Sequence, residues 1–251
     1  MTVELFDAQA GFGGFKPGAR EAFSDAALLA EMDRLKIAKA LVRIWPEDLD
    51  SDQGGSNQIL FDVCAAAKGR LVPCPIMVPA SGGDFPSEEE QVARAIARGA
   101  GAAALRPTID YWNVEEWSGG KLFAAMEARG LPALCPQKTI PPADVAKVAQ
   151  AHGRLPLVMV AANYRTHRPI CAILGAFSNV YLSVGSNYTV QGGIEDIVRR
   201  FGPERLLFGT GIPQAEPAMA VTQFAYADLT EGQRKRIGSE NLQRLIGGIR
   251  K

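Results

Sequence analysis

The sequence predicts a closed (β/α)8 TIM barrel, and three observations carry that expectation. Short β-rich runs alternate with longer amphipathic runs along the whole chain. Strict alternation of this kind demands a parallel sheet with right-handed crossovers. Eight such units in 251 residues match the size of a closed barrel, typically about 250 residues. No linker-like Ser/Pro tract divides the chain, so residues 1–251 read as a single barrel domain. A doubly wound sheet absorbs the same strands but requires a phosphate-binding turn after the first. The stretch at that place, GFGG (11–14), has Lys16 where the third glycine belongs.

The elements follow in order. VELFDA (3–8) is the first strand, and the apolar positions of DAALLAEMDRLKI recur at three- and four-residue spacing, the mark of an amphipathic helix. KALVRI (39–44), RLVPCPIMV (70–78) and AAALRP (102–107) supply strands two to four, with EEQVARAIARGA as a helix between the last two. GKLFAAMEARG leads into LPALCP (131–136), and PADVAKVAQAHG into LPLVMVAA (155–162). Gly130 and Gly153 stand just past those two helices as stop signals. NVYLSVG (179–185) and RLLFGT (205–210) are strands seven and eight, separated by IEDIVRRFG, and EGQRKRIGSENLQRLIGGI closes the chain as an extra C-terminal helix.

Composition narrows the function. The 27 basic and 27 acidic side chains cancel, leaving no electrostatic footprint for nucleic acid or an anionic membrane. No apolar stretch approaches the roughly 20 residues that span a bilayer, and MTVELFDAQAGFG lacks the pattern of a signal peptide. Cys64, Cys74, Cys135 and Cys171 are scattered in apolar or helical contexts, as reduced thiols are. The expected setting is cytoplasmic, and the sequon Asn187-Tyr188-Thr189 is expected to be inert. Self-association is left open.

Working residues of such barrels sit where strands end. Strand one delivers Asp7, Gln9 and Gly11; strand two, Arg43 and Trp45; strand three, Met77 and Pro79; strand four, Arg106, with Tyr111 and Trp112 in its loop. Strand five delivers Cys135 and Gln137, strand six Asn163, Tyr164 and Arg165, strand seven Ser183, Ser186, Asn187 and Tyr188, and strand eight Gly209 and Gly211.

In this layout the chain resembles the amidohydrolase superfamily, in its amidohydrolase-related branch of metal-dependent hydrolases. The residues that carry the likeness are FDAQAG against the family's Asp-x-His-x-His, RLLFGTGIP against R-L-L-F-G-S-D-x-P, GLPALCPQ against G-L-P-V-x-x-H, and ENLQRL (240–245) in the last helix. The resemblance implies a metal-dependent hydrolase, but the implied ligands are replaced. Gln9 and Gly11 stand for the first-strand histidines, Pro136 or Gln137 for the fifth-strand one, and Ala162 or Asn163 for the sixth-strand one. Gly211 stands for the metal-binding aspartate. His152 and His167 do not lie at matching strand ends, and DLDSDQG (48–54) has Ile59 where a calcium loop needs glutamate. No metal and no cofactor is therefore expected.

What remains is a mouth for a small, anionic organic substrate. Arg43 and Arg106 are expected to fork a carboxylate or phosphate, or else one of them pairs with Asp7 inside the barrel. Asp7 is the candidate catalytic base, although adjacent arginines would lower its pKa. Gln9, Gln137 and the repeated Asn163-Tyr164 and Asn187-Tyr188 pairs are candidate substrate-binding groups, the alternative for the pairs being ordinary loop and cap residues. Cys135 reads as core, and Trp45, Trp112 and Trp117 either roof the pocket or pack elsewhere. The expected function is metal-independent hydrolysis of a lactone, ester or amide; the alternative is a non-catalytic barrel that binds a ligand or supports an active homologue.

Overall fold

The computed structural model describes residues 3–13, 23–44 and 53–251. Eight parallel strands alternate with helices: β1 (Phe6–Phe12), β2 (Lys39–Ile44), β3 (Leu71–Pro73), β4 (Ala103–Ala104), β5 (Ala133–Pro136), β6 (Leu157–Val160), β7 (Val180–Val184) and β8 (Leu206–Phe208). Their order is β1-β2-β3 and β4 through β8. Pro73 and Pro75 have no N–H to donate, which ends β3 early, but the ladder is carried across that gap. Ile76 bridges Ala104 in parallel, and Gly101 N and Ala104 N donate to Pro73 O and Pro75 O at 3.0 and 2.8 Å. On the other side Gly211 N donates to Gln9 O at 2.8 Å, so the first and last strands meet and the barrel closes.

The helices are α1 (Asp25–Leu35), α2 (Gln53–Ala66), α3 (Glu88–Ala97), α4 (Glu116–Arg129), α5 (Pro142–Ala151), α6 (His167–Ala176), α7 (Gly193–Phe201), α8 (Pro217–Tyr226), α9 (Glu231–Lys235) and α10 (Asn241–Gly247). Local chemistry sets their ends. Ser24 accepts from Ala27 N at 3.1 Å to start α1, and Gly130 at φ 66° stops α4, in a conformation a side chain disfavours. The expected C-terminal helix forms with one departure: Arg236–Glu240 is a π-turn between α9 and α10.

Two apolar layers result. Inside the barrel Phe6, Ala8, Leu41, Cys74, Ile76, Ala104, Leu134, Val158, Val160 and Leu207 form one cluster, joined from below by Leu242 and Leu245 of α10. The larger cluster lies between sheet and helices. Asn241, within the ENLQRL phrase, donates to Pro203 O and Leu206 O at 2.8 Å each, which anchors α10 under β8.

The first strand needs correction. It was expected over 3–8 and runs from Phe6 to Phe12, with an irregularity between Asp7 and Ala10, because pairing with β2 continues through Gly11–Arg43 and Phe12–Ile44. The turn that glycine signals promised comes at Gly13, at φ 94°. Trp45, Lys16 and most of DLDSDQG lie outside the described residues.

Candidate functional site

The C-terminal strand ends are organised around β1. Phe6 and Ala8 belong to the inner cluster, so alternation turns Asp7 away from the barrel mouth and toward the segment after β8. There its carboxylate accepts from Gln9 N at 2.8 Å, from Thr210 N at 3.0 Å and from the Thr210 hydroxyl. Burial pushes the Asp7 carboxyl up to about 6 against the opposing pull of these donors. The expectation that it aims into the mouth or pairs with an arginine is thus not met; Thr210 is its partner.

Gln9 takes the central place. It is 8% exposed, its Oε1 accepts from Ala161 N at 3.0 Å, and Ala161 is held at φ 56°. The glycines of the strand ends fit around it. A Cβ on Gly209 would collide with Ser183 Oγ and stand 3.2 Å from Gln9 Cβ. One on Gly211, whose φ is 81°, would lie 3.4 Å from Gln9 Nε2 and from Ala215. Close approach therefore accounts for Gly209, and backbone conformation for Gly211. A small cavity of about 50 Å³ remains beside Gln9, Gly185, Asn187 and Gly211.

Arg43 and Arg106 are buried, at 4% and 5% exposure, on the ends of β2 and β4. Gly11 stands opposite Arg43 in the β1–β2 register. Arg106 is forked by Asp110: Nη2–Oδ1 is 2.6 Å and Nε–Oδ2 3.1 Å. Asp110 was not singled out from the sequence, although four-residue spacing in RPTID was the available signal. Gln137, at the end of β5, has both amide atoms buried with no hydrogen-bond partner among the described residues. Ser183 Oγ on β7 and Trp112 Nε1 in the β4 loop are in the same condition.

The Asn-Tyr pairs divide. Asn163 caps a 3₁₀ turn, its Oδ1 accepting from Arg165 N at 2.9 Å, and Tyr164 is exposed under the Arg165 guanidinium. Asn187 is exposed beside the small cavity. Tyr188 is fully buried, with its hydroxyl 2.6 Å from His167 Nδ1, so it packs among the outer helices and does not offer that hydroxyl to a substrate at the mouth. Cys135 is core as expected: it is buried, and its thiol is pushed up to about 12 by that burial. Trp112 packs on Phe123, whereas Trp117 is mostly exposed.

Among the described residues, the strand-end positions that the resemblance assigns to metal ligands do not offer a converging ligand set. Such a centre needs about three nitrogen, sulfur or carboxylate ligands converging. The corresponding positions hold an amide already bonded to Ala161 N (Gln9), glycines at 11 and 211, and Pro136, Gln137, Ala162 and Asn163 at strands five and six. Among the described residues, the larger cavities lie off the barrel axis. One of about 660 Å³ runs between Thr189–Glu195 and α8, and one of about 480 Å³ between α2 and α3. Among the described residues no helix is long and apolar enough to cross a membrane.

Comparison with known proteins agrees with this architecture. The sequence model of the amidohydrolase family matches residues 12–248. No curated protein sequence matches the chain significantly. Among solved structures, a TIM-barrel protein of Bordetella bronchiseptica is similar with a TM-score of 0.78 at 18% identity, over 98% of this chain and 99% of that one. A 2,6-dihydroxybenzoate decarboxylase complexed with 2,6-dihydroxybenzoate gives 0.73 at 15% identity, over 98% and 99%. The 5-carboxyvanillate decarboxylase of Sphingomonas paucimobilis gives 0.74 at 13%, over 98% and 99%. These likenesses establish the (β/α)8 fold.

Proposed function

From the premise that the chain belongs to the amidohydrolase family, whose model spans residues 12–248, we propose that its barrel mouth binds a small organic acid without the family's metal centre. The observation that carries this reading is the buried, unpartnered amide of Gln137 at the end of β5. A buried polar group left unpaired costs roughly 1–3 kcal/mol, and such groups call for a partner that the described residues do not provide. The guanidinium groups of Arg43 and Arg106 at the ends of β2 and β4 offer planar donors suited to a carboxylate, Arg106 in competition with its ion-pair partner Asp110. Small aromatic acids are the first class to try, since the similar decarboxylases act on them.

A second reading, hydrolysis of a lactone, ester or amide with Asp7 as base, draws on one observation: a carboxyl pushed up to about 6 is matched to proton transfer near neutrality. Against it stand the burial of Asp7 and its three donors. We favour binding for that reason. Calorimetric titration of the purified chain with benzoates and hydroxybenzoates, alongside a panel of lactones and esters followed for turnover, separates the two. Saturable binding of an acid with no turnover supports the first reading; turnover abolished by Asp7→Asn supports the second.

A further inference from the structure

Away from the barrel mouth, on the outer ring of helices, three side chains of different ligating chemistry meet around one nitrogen. His167 and Cys171 are one helical turn apart on α6, with His167 Nε2 3.6 Å from Cys171 Sγ. Asp196 comes from α7, and its Oδ2 is 3.7 Å from that same His167 Nε2. All three ligand atoms lie within 4.8 Å of one another. We propose that His167, Cys171 and Asp196 form a zinc site that clips α6 to α7 outside the barrel.

The geometry separates a chelate from its main rival, a cysteine nucleophile activated by histidine. In a nucleophilic triad the carboxylate orients the histidine from the nitrogen opposite the nucleophile. Here sulfur and carboxylate face the same nitrogen, and the opposite one, Nδ1, is held by the Tyr188 hydroxyl at 2.6 Å. That is the pattern of a metal-bound imidazole, whose second nitrogen is fixed by a hydrogen-bonding partner. Tetrahedral zinc bonds of about 2.0–2.3 Å place ligand atoms about 3.4–3.6 Å apart. The histidine–cysteine distance of 3.6 Å matches, the histidine–carboxylate distance of 3.7 Å needs a small contraction, and the sulfur–carboxylate side must also close.

The chemistry fits zinc as well. One imidazole, one thiolate and one carboxylate balance the charge of a divalent ion and leave a fourth position for water. The Asp196 carboxylate lies against the Arg199 and Arg200 guanidiniums. Arg200 also contacts Asp196 Oδ2, at 3.1 Å, and must yield that oxygen to the metal; Arg199 already pairs with Oδ1. Cys171 is buried while His167 and Asp196 are each about a quarter exposed, so an ion has a path in. The expectation of no metal rested on the strand ends, which this cluster does not touch.

The test titrates zinc, and in parallel cobalt(II), into the full chain after chelator treatment and desalting. One saturable zinc equivalent is expected, with an intense near-ultraviolet thiolate-to-cobalt band in the cobalt form. Cys171→Ser should remove that band and weaken zinc by tenfold or more, and Tyr188→Phe should weaken it by roughly tenfold at unchanged stoichiometry. Absence of saturable zinc binding, a cobalt complex without the thiolate band, or affinity untouched by Cys171→Ser and His167→Asn would overturn the proposal. The wild-type cobalt spectrum decides the matter even if a variant fails to fold.

Discussion

Asp7 and Thr210 join the first and last strands of the barrel: one carboxylate, 1% exposed, accepts both the backbone N–H and the hydroxyl of a residue 203 positions away. Closing a barrel removes the sheet edges, and this bond, with Gln9 O to Gly211 N, is how the chain does it.

The seam has a pH signature. The folded carboxyl sits near 6 against 3.8 unfolded, so the unfolded chain binds fewer protons between those values. The contribution of Asp7 is fully present below about pH 4 and is lost as pH rises through about 6, on the order of 3 kcal/mol. Denaturant unfolding from pH 4 to 7 should show wild-type stability falling by a component that Asp7→Asn lacks. Parallel curves for the two proteins would mean that Asp7 does not titrate in this window.

Gln137→Leu should stabilise the free protein while abolishing acid binding. It removes two buried polar atoms without partners, a gain of roughly 1–3 kcal/mol. A drop in unfolding midpoint, or unchanged ligand affinity, would show that Gln137 has a partner other than the ligand.

Arg106→Ala strands Asp110 in the interior, since the pair is 6% and 7% exposed. A loss of about 3–5 kcal/mol is expected for breaking such a pair. The double change Arg106→Met, Asp110→Leu should recover most of it, which chemical denaturation measures. For ligand recognition, Arg43→Ala should weaken acid binding by about 1.5–3 kcal/mol, with Arg43→Lys recovering only part of it.

Gly211→Asp should not build a metal centre at the strand ends. A side chain there is strained at φ 81°, by on the order of 1 kcal/mol or more, and no imidazole stands at positions 9, 11 or 137. Assayed in a His167→Asn background, so that the helical cluster does not contribute, it should show no new zinc or manganese binding. Metal-dependent ester or lactone turnover in that variant would contradict the assignment of replaced ligands.

The barrel was legible because alternation is written into every unit, and the strand cores fall where apolar runs were read. The first strand was cut short, since Gly11 and Gly13 look alike in sequence and only pairing with β2 distinguishes them. At the site, position was more legible than partnership. Arg43, Arg106 and Gln137 lie at or just past the ends of β2, β4 and β5, whereas Asp7 and Gln9 fall inside the longer β1, and the Asp7–Thr210 and Arg106–Asp110 bonds depend on which face a residue presents after an irregular step. Tyr188 was misplaced for the same reason: a residue four places past a strand can turn into the helical layer as readily as into the mouth. The three-way meeting of His167, Cys171 and Asp196 spans two helices and leaves no trace in local spacing beyond the four-residue step on α6.

The most direct test of a metal-free mouth is calorimetric titration of a small aromatic acid into chelator-stripped His167→Asn protein. Saturable binding that is indifferent to added zinc or manganese, and lost in Gln137→Leu, is the result predicted. Binding that appears only when a divalent metal is restored would contradict it.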